Sequence, residues 1–172
     1  MILPDLLAPE LDLVLCGTAP SHASAAAQAY YAKPGNLFWP TLYRVGLIPD
    51  PLMPAQYPAL LCWGIGLTDL CKTEQGSDAE LSATAFDSAG FVAKLLKFRP
   101  AVVAFTSKTA AGHFLGRTRL AYGLQPEPVH GASLFVLPSP SGRARGYWRI
   151  EPWQDLAAVI ARRRAARGTA PA

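Results

Sequence analysis

Three stretches of this 172-residue chain carry residue types and spacings suited to chemistry. Asp69 ends the run Gly66-Leu-Thr-Asp69 and is the only acidic residue at any of the four predicted strand exits. A carboxylate there is ionised near neutrality by default. It can accept a proton from water or stabilise a nearby positive charge. The structural alternatives are that Asp69 caps a turn after Thr68, or pairs with Lys72. The second stretch is Cys16-Gly-Thr-Ala-Pro-Ser21, a turn that points small groups and backbone N–H donors outward. The third is the loop from Val136 to Gly146. Pro138 and Pro140 stiffen its exit from a strand, Gly142 and Gly146 permit a tight loop, and Arg143 and Arg145 place positive charge at its tip. A small, rigid, basic loop suits insertion into a nucleic-acid groove, whereas the bland reading is a surface turn with two solvated arginines.

Other candidates are weaker. Ser107 and Lys108 open a helix whose N-terminal N–H groups can meet a phosphate, although capping explains Ser107 equally well. His22 lies just past the first turn, placed to touch a phosphate, to orient water, or simply to sit on the surface. His113 and His130 lack metal-ligand spacing with any partner. Asp87 reaches the site only if residues 72–88 fold back over it. Cys16, Cys62 and Cys71 are sparse and odd in number, which fits buried thiols in a reducing compartment better than a disulfide framework.

Charge placement is more informative than the net value of +4. Residues 140–172 hold seven arginines against Glu151 and Asp155, a balance of +5, while the remainder holds nine Lys/Arg against ten Asp/Glu, a balance of −1. A basic excess concentrated in one region suits a polyanionic partner. No apolar run approaches the ~18 residues of a membrane span, and Met1-Ile-Leu-Pro-Asp has no secretion-signal pattern. A location in the cytoplasm, at the nucleoid, is expected.

The elements that must position these residues alternate. Apolar runs at 11–16, 64–70, 101–105 and 133–137 read as strands. Helices are expected from Leu37 to Val45 after Asn36, from Ser82 or Thr84 to Phe98 with Val92, Leu95 and Leu96 inward, from Ser107 to Leu115 with Gly116 ending it, and from Pro152 to Arg164. Residues 22–35, 72–80 and 117–130 read as loops, the second of them mobile, and 48–58 as a proline-rich connector with at most a short helix near Ala55–Cys62. This pattern predicts an α/β fold: three layers, α/β/α, around a central, mainly parallel sheet of about four strands. In such sheets ligands bind off the carboxyl ends of the strands.

Taken in order, Cys16-Gly-Thr-Ala-Pro-Ser21, Ala32-Lys-Pro-Gly-Asn-Leu-Phe-Trp39, Gly66-Leu-Thr-Asp69 and Leu137-Pro-Ser-Pro-Ser-Gly142 resemble the mismatch-specific uracil/thymine DNA glycosylases, a branch of the uracil-DNA glycosylase superfamily. The resemblance spans roughly residues 3–160. It implies a single glycosylase-like domain, here 1–164 with a flexible basic tail at 165–172, acting as a monomer without metal or other cofactor on double-stranded DNA that carries a mismatched or damaged base. It implies a base pocket formed here by Gly17, Ala19, Ser21, Tyr31 and Ser139, with Tyr31 stacking on the base. The resemblance also implies that the last loop, here Gly142, Arg143, Ala144 and Arg145, wedges into the duplex; Ser24, Ser107 and Lys108 are further expected DNA contacts. Two positions depart from the family pattern. Ala19 stands where the family has the Asn associated with water activation, and Ser139 stands for the Asn of the last loop. Asp69 is the candidate replacement for the first. The expected activity is hydrolysis of the N-glycosidic bond of uracil, with a broadened base range and no lyase step. The alternatives are a mismatch-binding protein that does not cut, a glycosylase for deaminated purines such as hypoxanthine, and a small-nucleotide hydrolase.

Overall fold

The computed structural model describes residues 1–168. The first strand, β1 (Leu13–Gly17), is buried along its length and lies inside the sheet. Helices α1 (His22–Ala27) and α2 (Phe38–Arg44) follow, then a 3₁₀ stretch at Pro54–Trp63 and strand β2 (Ile65–Asp69). Helix α3 (Ser88–Phe98) leads to β3 (Val102–Phe105), and α4 (Lys108–Leu115) to the two-residue strand β4 (Gly123–Leu124). Strand β5 (Ser133–Val136) precedes the long helix α5 (Glu151–Gly168). Strand order is β2-β1-β3-β5-β4, parallel except for the β4–β5 pair.

The period of two along each strand divides the core into two layers. Leu13, Leu15, Val102, Ala104 and Phe135 face α2 and α5, where Phe38, Trp39, Leu42, Trp153, Leu156 and Ile160 pack. Cys16, Val103, Phe105, Leu134 and Val136 face α3 and α4, against Phe91, Leu95, Ala110 and Ala111. Both faces are covered, so the strands read as continuous apolar runs. This is the expected α/β/α arrangement, with a fifth strand added. That strand is too short to show a period, and it shortens the exposed sheet edge beside β5.

Several local expectations are corrected. Residues 22–27 are helical rather than irregular, because the Ser21 hydroxyl takes the Ser24 N–H at 3.1 Å and alanines propagate the turn. Helix α3 starts at Ser88, capped by Asp87, whose carboxylate accepts the Gly90 N–H at 2.8 Å. Ser82 instead binds the Glu74 carboxylate. Within α3 Phe91 and Leu95 point inward, while Leu96, expected inward, is 60% exposed. Cys62 is exposed, unlike Cys16 and Cys71.

Helix α5 continues through Gly168, past the predicted stop at Arg164, so 165–168 are helix rather than tail; 169–172 lie outside the described residues. Three of its arginines are used internally. Arg163 and Arg167 bind the fully buried Asp12, and Arg164 donates to the carbonyls of Leu47 and Trp63 at 3.0 and 2.7 Å. Much of the C-terminal positive charge therefore neutralises a buried carboxylate and caps loop carbonyls. Among the described residues no helix is long and apolar enough to cross a membrane.

Candidate active site

The chain leaves β1 toward β2 on one side of the sheet, while β3 leads to β5 on the other. The crevice of such a fold opens where these directions diverge, beyond the carboxyl ends of β1 and β3. A cavity of about 720 Å³ lies there. The turns after β1, β3 and β5 form its walls, together with the end of β2 and the segment Gly76–Glu80.

Asp69 is the last residue of β2, paired in register with Gly17 at the end of β1. Its side chain lines the cavity yet is 4% exposed, and Oδ2 is buried without a hydrogen-bond partner. Neither structural alternative accounts for it. Lys72 pairs instead with Asp5 at 2.8 Å and donates to the Tyr30 hydroxyl at 3.2 Å. Asp5 also takes Lys94 at 2.7 Å and the Thr68 hydroxyl at 2.7 Å. Burial opposes the charge on Asp5, but these hydrogen bonds outweigh it and hold its carboxyl below the usual range.

The expectation that Asp69 is ionised by default is corrected. Burial pushes its carboxyl up to about 7; Lys72 opposes this, Asp5 adds to it, and Lys94 opposes it again. A buried acid without a countercharge keeps its proton because the charged form loses its hydration. Near neutrality Asp69 is thus divided between acid and carboxylate, the range in which a proton-transfer group works best.

Tyr31 occupies the adjoining wall. It has a left-handed backbone, φ 53°, a conformation costly for a ring-bearing residue. Its ring lies flat on Phe38, with centroids 3.7 Å apart and planes inclined at 12°. Phe38 is fully buried, so it backs one face of Tyr31. The Tyr31 hydroxyl is fixed by a 3.0 Å hydrogen bond with Thr106 Oγ1 just beyond β3. Burial, then the neighbouring Asp69, push the phenol well above its usual range, so it stays protonated.

The final turn, Gly142–Tyr147, is 3₁₀, and its three-residue period sorts its side chains. Gly142 and Arg145 face the 33–36 loop: a Cβ on Gly142 would lie 3.8 Å from Gly35 O, and the Arg145 guanidinium donates to that oxygen at 3.4 Å. Arg143, Ala144 and Tyr147 line the cavity.

A comparison with family models matches the uracil DNA glycosylase superfamily over residues 4–157. The chain belongs to the uracil DNA glycosylase superfamily. Among solved structures, the chain is similar to a protein from Methanosarcina acetivorans, solved by solution NMR and provisionally assigned as a uracil DNA glycosylase. The TM-score is 0.64 at 21% identity, covering 92% of this chain and 96% of that one.

On this superfamily scaffold, Gly17, Ala19, Ser21, Tyr31, Asp69 and Ser139 converge on one cavity, as do Ser107, Lys108, Arg143 and Ala144. Lys108 lies over the Tyr122 ring, 4.2 Å from its centroid. Ser107 caps α4 through the Ala110 N–H at 3.0 Å and meets Thr18 Oγ1 at 3.3 Å. Ser24, which also lines the cavity, and Arg145 are engaged within the protein. Ser24 is 2% exposed; its hydroxyl accepts from Ser21 Oγ and the Ala32 N–H, both at 3.1 Å, and so fastens α1 to the Tyr31 loop. Arg145 is turned toward Gly35 and lies outside the cavity lining, as does Gly142.

The sequence did not single out Thr106, the role of Phe38 behind Tyr31, or Tyr147. Nor did it show that Gly76–Glu80 forms a wall. There the Gly76 N–H reaches Pro20 O at 2.9 Å, and His22 bridges Gln75 and Glu80 at 3.2 Å each. Asp87, a cap, takes no part in the cavity lining.

Proposed function

We propose that this protein is a monofunctional DNA glycosylase that releases uracil from mismatched duplex DNA, with Asp69 as the group acting beside the deoxyribose. The observation that carries the reading is the Asp69 carboxyl: buried, unpartnered at Oδ2, and on the cavity wall at the carboxyl end of the central strands.

A base inside a duplex is out of reach, so the target nucleotide must rotate into the cavity. The exposed face of Tyr31, backed by Phe38, is suited to stack on the extruded base. Cleavage of the N-glycosidic bond develops positive charge on the sugar and negative charge on the departing pyrimidine, by analogy with glycosides. The ionised form of Asp69 serves the sugar side, either by direct attraction or by taking a proton from the attacking water. At ~4 Å and an effective dielectric of ~20 the attraction is of order 4 kcal/mol, enough for about a thousandfold in rate. A methyl group at Ala19 cannot hold that water, which is why the carboxylate is assigned the task.

The small side chains of Ala19, Ser21 and Ser139 support a base range wider than uracil opposite guanine. Incubation of labelled duplexes bearing U·G, U·A, T·G and hypoxanthine, and of single-stranded uracil DNA, followed by alkali, tests the reading. Strand breaks after alkali at uracil, and none without alkali, are expected. No breaks at any base would support the binding-only alternative and end the catalytic reading.

A further inference from the structure

We propose that Asp5, on the N-terminal arm, is a positioning residue for Asp69: it gathers Lys72 and Lys94 into a half-buried charge cluster at the end of β2 and so keeps the cavity acid free of an ion-pair partner. The inference rests on the glycosylase reading above.

The cluster is built around one carboxylate. Asp5 Oδ1 takes Lys72 Nζ at 2.8 Å and the Thr68 hydroxyl at 2.7 Å, and Oδ2 takes Lys94 Nζ at 2.7 Å. Lys94 also donates to Thr68 Oγ1 at 3.2 Å. Thr68 immediately precedes Asp69 and Lys72 follows it on the same strand exit, so the arm grips the chain on both sides of the acid. The backbone repeats the grip. Leu6 and Leu67 exchange N–H···O bonds of 2.9 Å each, and the Ile2 N–H reaches Lys72 O at 2.9 Å.

Charge counting gives the cluster its role. Two ammonium groups face one carboxylate, a surplus of one positive charge beside an acid with no partner at Oδ2. A Lys72 released from Asp5 is drawn to the nearest carboxylate along its own chain, which is Asp69. A carboxylate held by an ammonium stays ionised to lower pH, but it has surrendered the oxygen that should face the sugar or the water. By occupying both lysines, Asp5 leaves that oxygen available.

The remaining groups around Asp69 do not substitute for the cluster. Burial, then Asp69 itself, keep Cys16, Tyr30 and Tyr31 protonated. His22, Lys33, Asp78, Glu80, Lys108 and Arg143 line the same cavity, yet none is a hydrogen-bond partner of the buried Oδ2. Of the charged groups that act on Asp69, Lys72 and Lys94 favour its ionised form and Asp5 opposes it.

The test reads the Asp69 carboxyl directly, by carbon-13 NMR titration of the full chain labelled at aspartate, with its signal identified by its loss in Asp69→Asn. Single-turnover release of uracil from a U·G duplex is followed over the same pH range. Asp5→Asn is expected to move both midpoints down by about one pH unit, and to lower the plateau rate because the acid is then paired. Lys72→Met is expected to move both midpoints up by about as much. Lys94→Gln is expected to move them up by less. The double variant Asp5→Asn/Lys72→Met restores a surplus of one positive charge, so its midpoint should return to within about half a unit of wild type. A role confined to tying down the arm predicts the opposite, since the double variant has lost two tethers. Shifts of one sign in every variant, no shift, or a double variant further from wild type than Asp5→Asn overturn the assignment. If Asp5→Asn does not fold, the upward shifts of Lys72→Met and Lys94→Gln still decide it, because both leave the backbone bonds of the arm in place. The carboxyl signal needs no bond cleavage. The expected shifts without uracil release would end the glycosylase reading and leave the hold of Asp5 on Asp69 standing; release without the shifts would do the reverse.

Discussion

The carboxylate of Asp69 lies against the bare Cα of Gly17: a Cβ built at position 17 would come within 2.5 Å of Asp69 Oδ1 and 3.1 Å of the Tyr31 hydroxyl. The two residues are register partners at the ends of β2 and β1. The missing side chain at Gly17 is therefore what lets the acid and the phenol share one wall of the cavity. Three strand ends meet there, since Thr106, just past β3, holds the Tyr31 hydroxyl.

A methyl group at this point is a direct probe. Gly17→Ala must push the carboxylate aside, because the rest of that wall is strand backbone. Uracil release is expected to fall at least tenfold under single-turnover conditions. Circular dichroism and duplex affinity should change little, since the backbone there does not need a left-handed φ. Wild-type turnover in this variant would mean that the position of Asp69 is unimportant.

The protonation of Asp69 predicts a pH profile. Only the ionised form can stabilise a sugar cation or take a proton from water, and the carboxyl is held up to about 7. The single-turnover rate should rise about tenfold per pH unit below 7 and flatten above it. A rate constant between pH 5 and 8 would place the working group elsewhere.

The same shift carries a stability signature of the opposite sense. The folded-state pKa of Asp69 lies above its unfolded value of 3.8. Its contribution is therefore fully favourable below about 4 and is lost as pH rises to about 7. At ~1.4 kcal/mol per unit this amounts to about 4 kcal/mol. Asp69→Asn has no such ionisation, so urea denaturation should show the variant gaining on wild type from pH 4 to 7, with a constant gap above. Parallel curves across that range would show that the carboxyl ionises freely in the fold.

The arginines of the C-terminal half divide into two sets with different signatures. Arg163 and Arg167 neutralise a fully buried Asp12 from its solvent side, so removing one arginine leaves that carboxylate a single cationic partner and destabilises the fold. Arg163→Ala should lower the midpoint of denaturation and leave the salt dependence of duplex binding unchanged. Arg143→Ala should do the reverse, reducing the slope of log affinity against log salt by about one. Equal salt slopes for both variants would contradict this division.

How much of this was legible beforehand follows from the range of each interaction. The four longer strands were readable because both sheet faces are covered, which makes each strand an apolar run. β4 was not, since two residues carry no period. α4 was readable from Ser107 to Gly116 because both of its ends are capped locally. α3 was misplaced by several residues because Ser82 and Asp87 are both good caps, and only the Glu74 contact shows that Ser82 is already engaged. The place of Asp69 followed from its being the lone acid at a strand exit, but its protonation depends on burial by distant segments. The fate of the arginines at 163 and 167 depended on Asp12, some 150 positions earlier. Arg145 and Tyr147 could be told apart only by the period of the 3₁₀ turn, in a stretch whose composition suggested an open loop.

The claim on which the chemistry rests is that the Asp69 carboxylate acts on the extruded nucleotide. Single-turnover release of uracil from a U·G duplex by wild type and Asp69→Asn, at pH 8 and saturating protein, measures it directly. The account predicts a loss of at least a hundredfold in the variant, with duplex affinity and the folded far-ultraviolet spectrum retained. Release by Asp69→Asn within a few fold of wild type would contradict it.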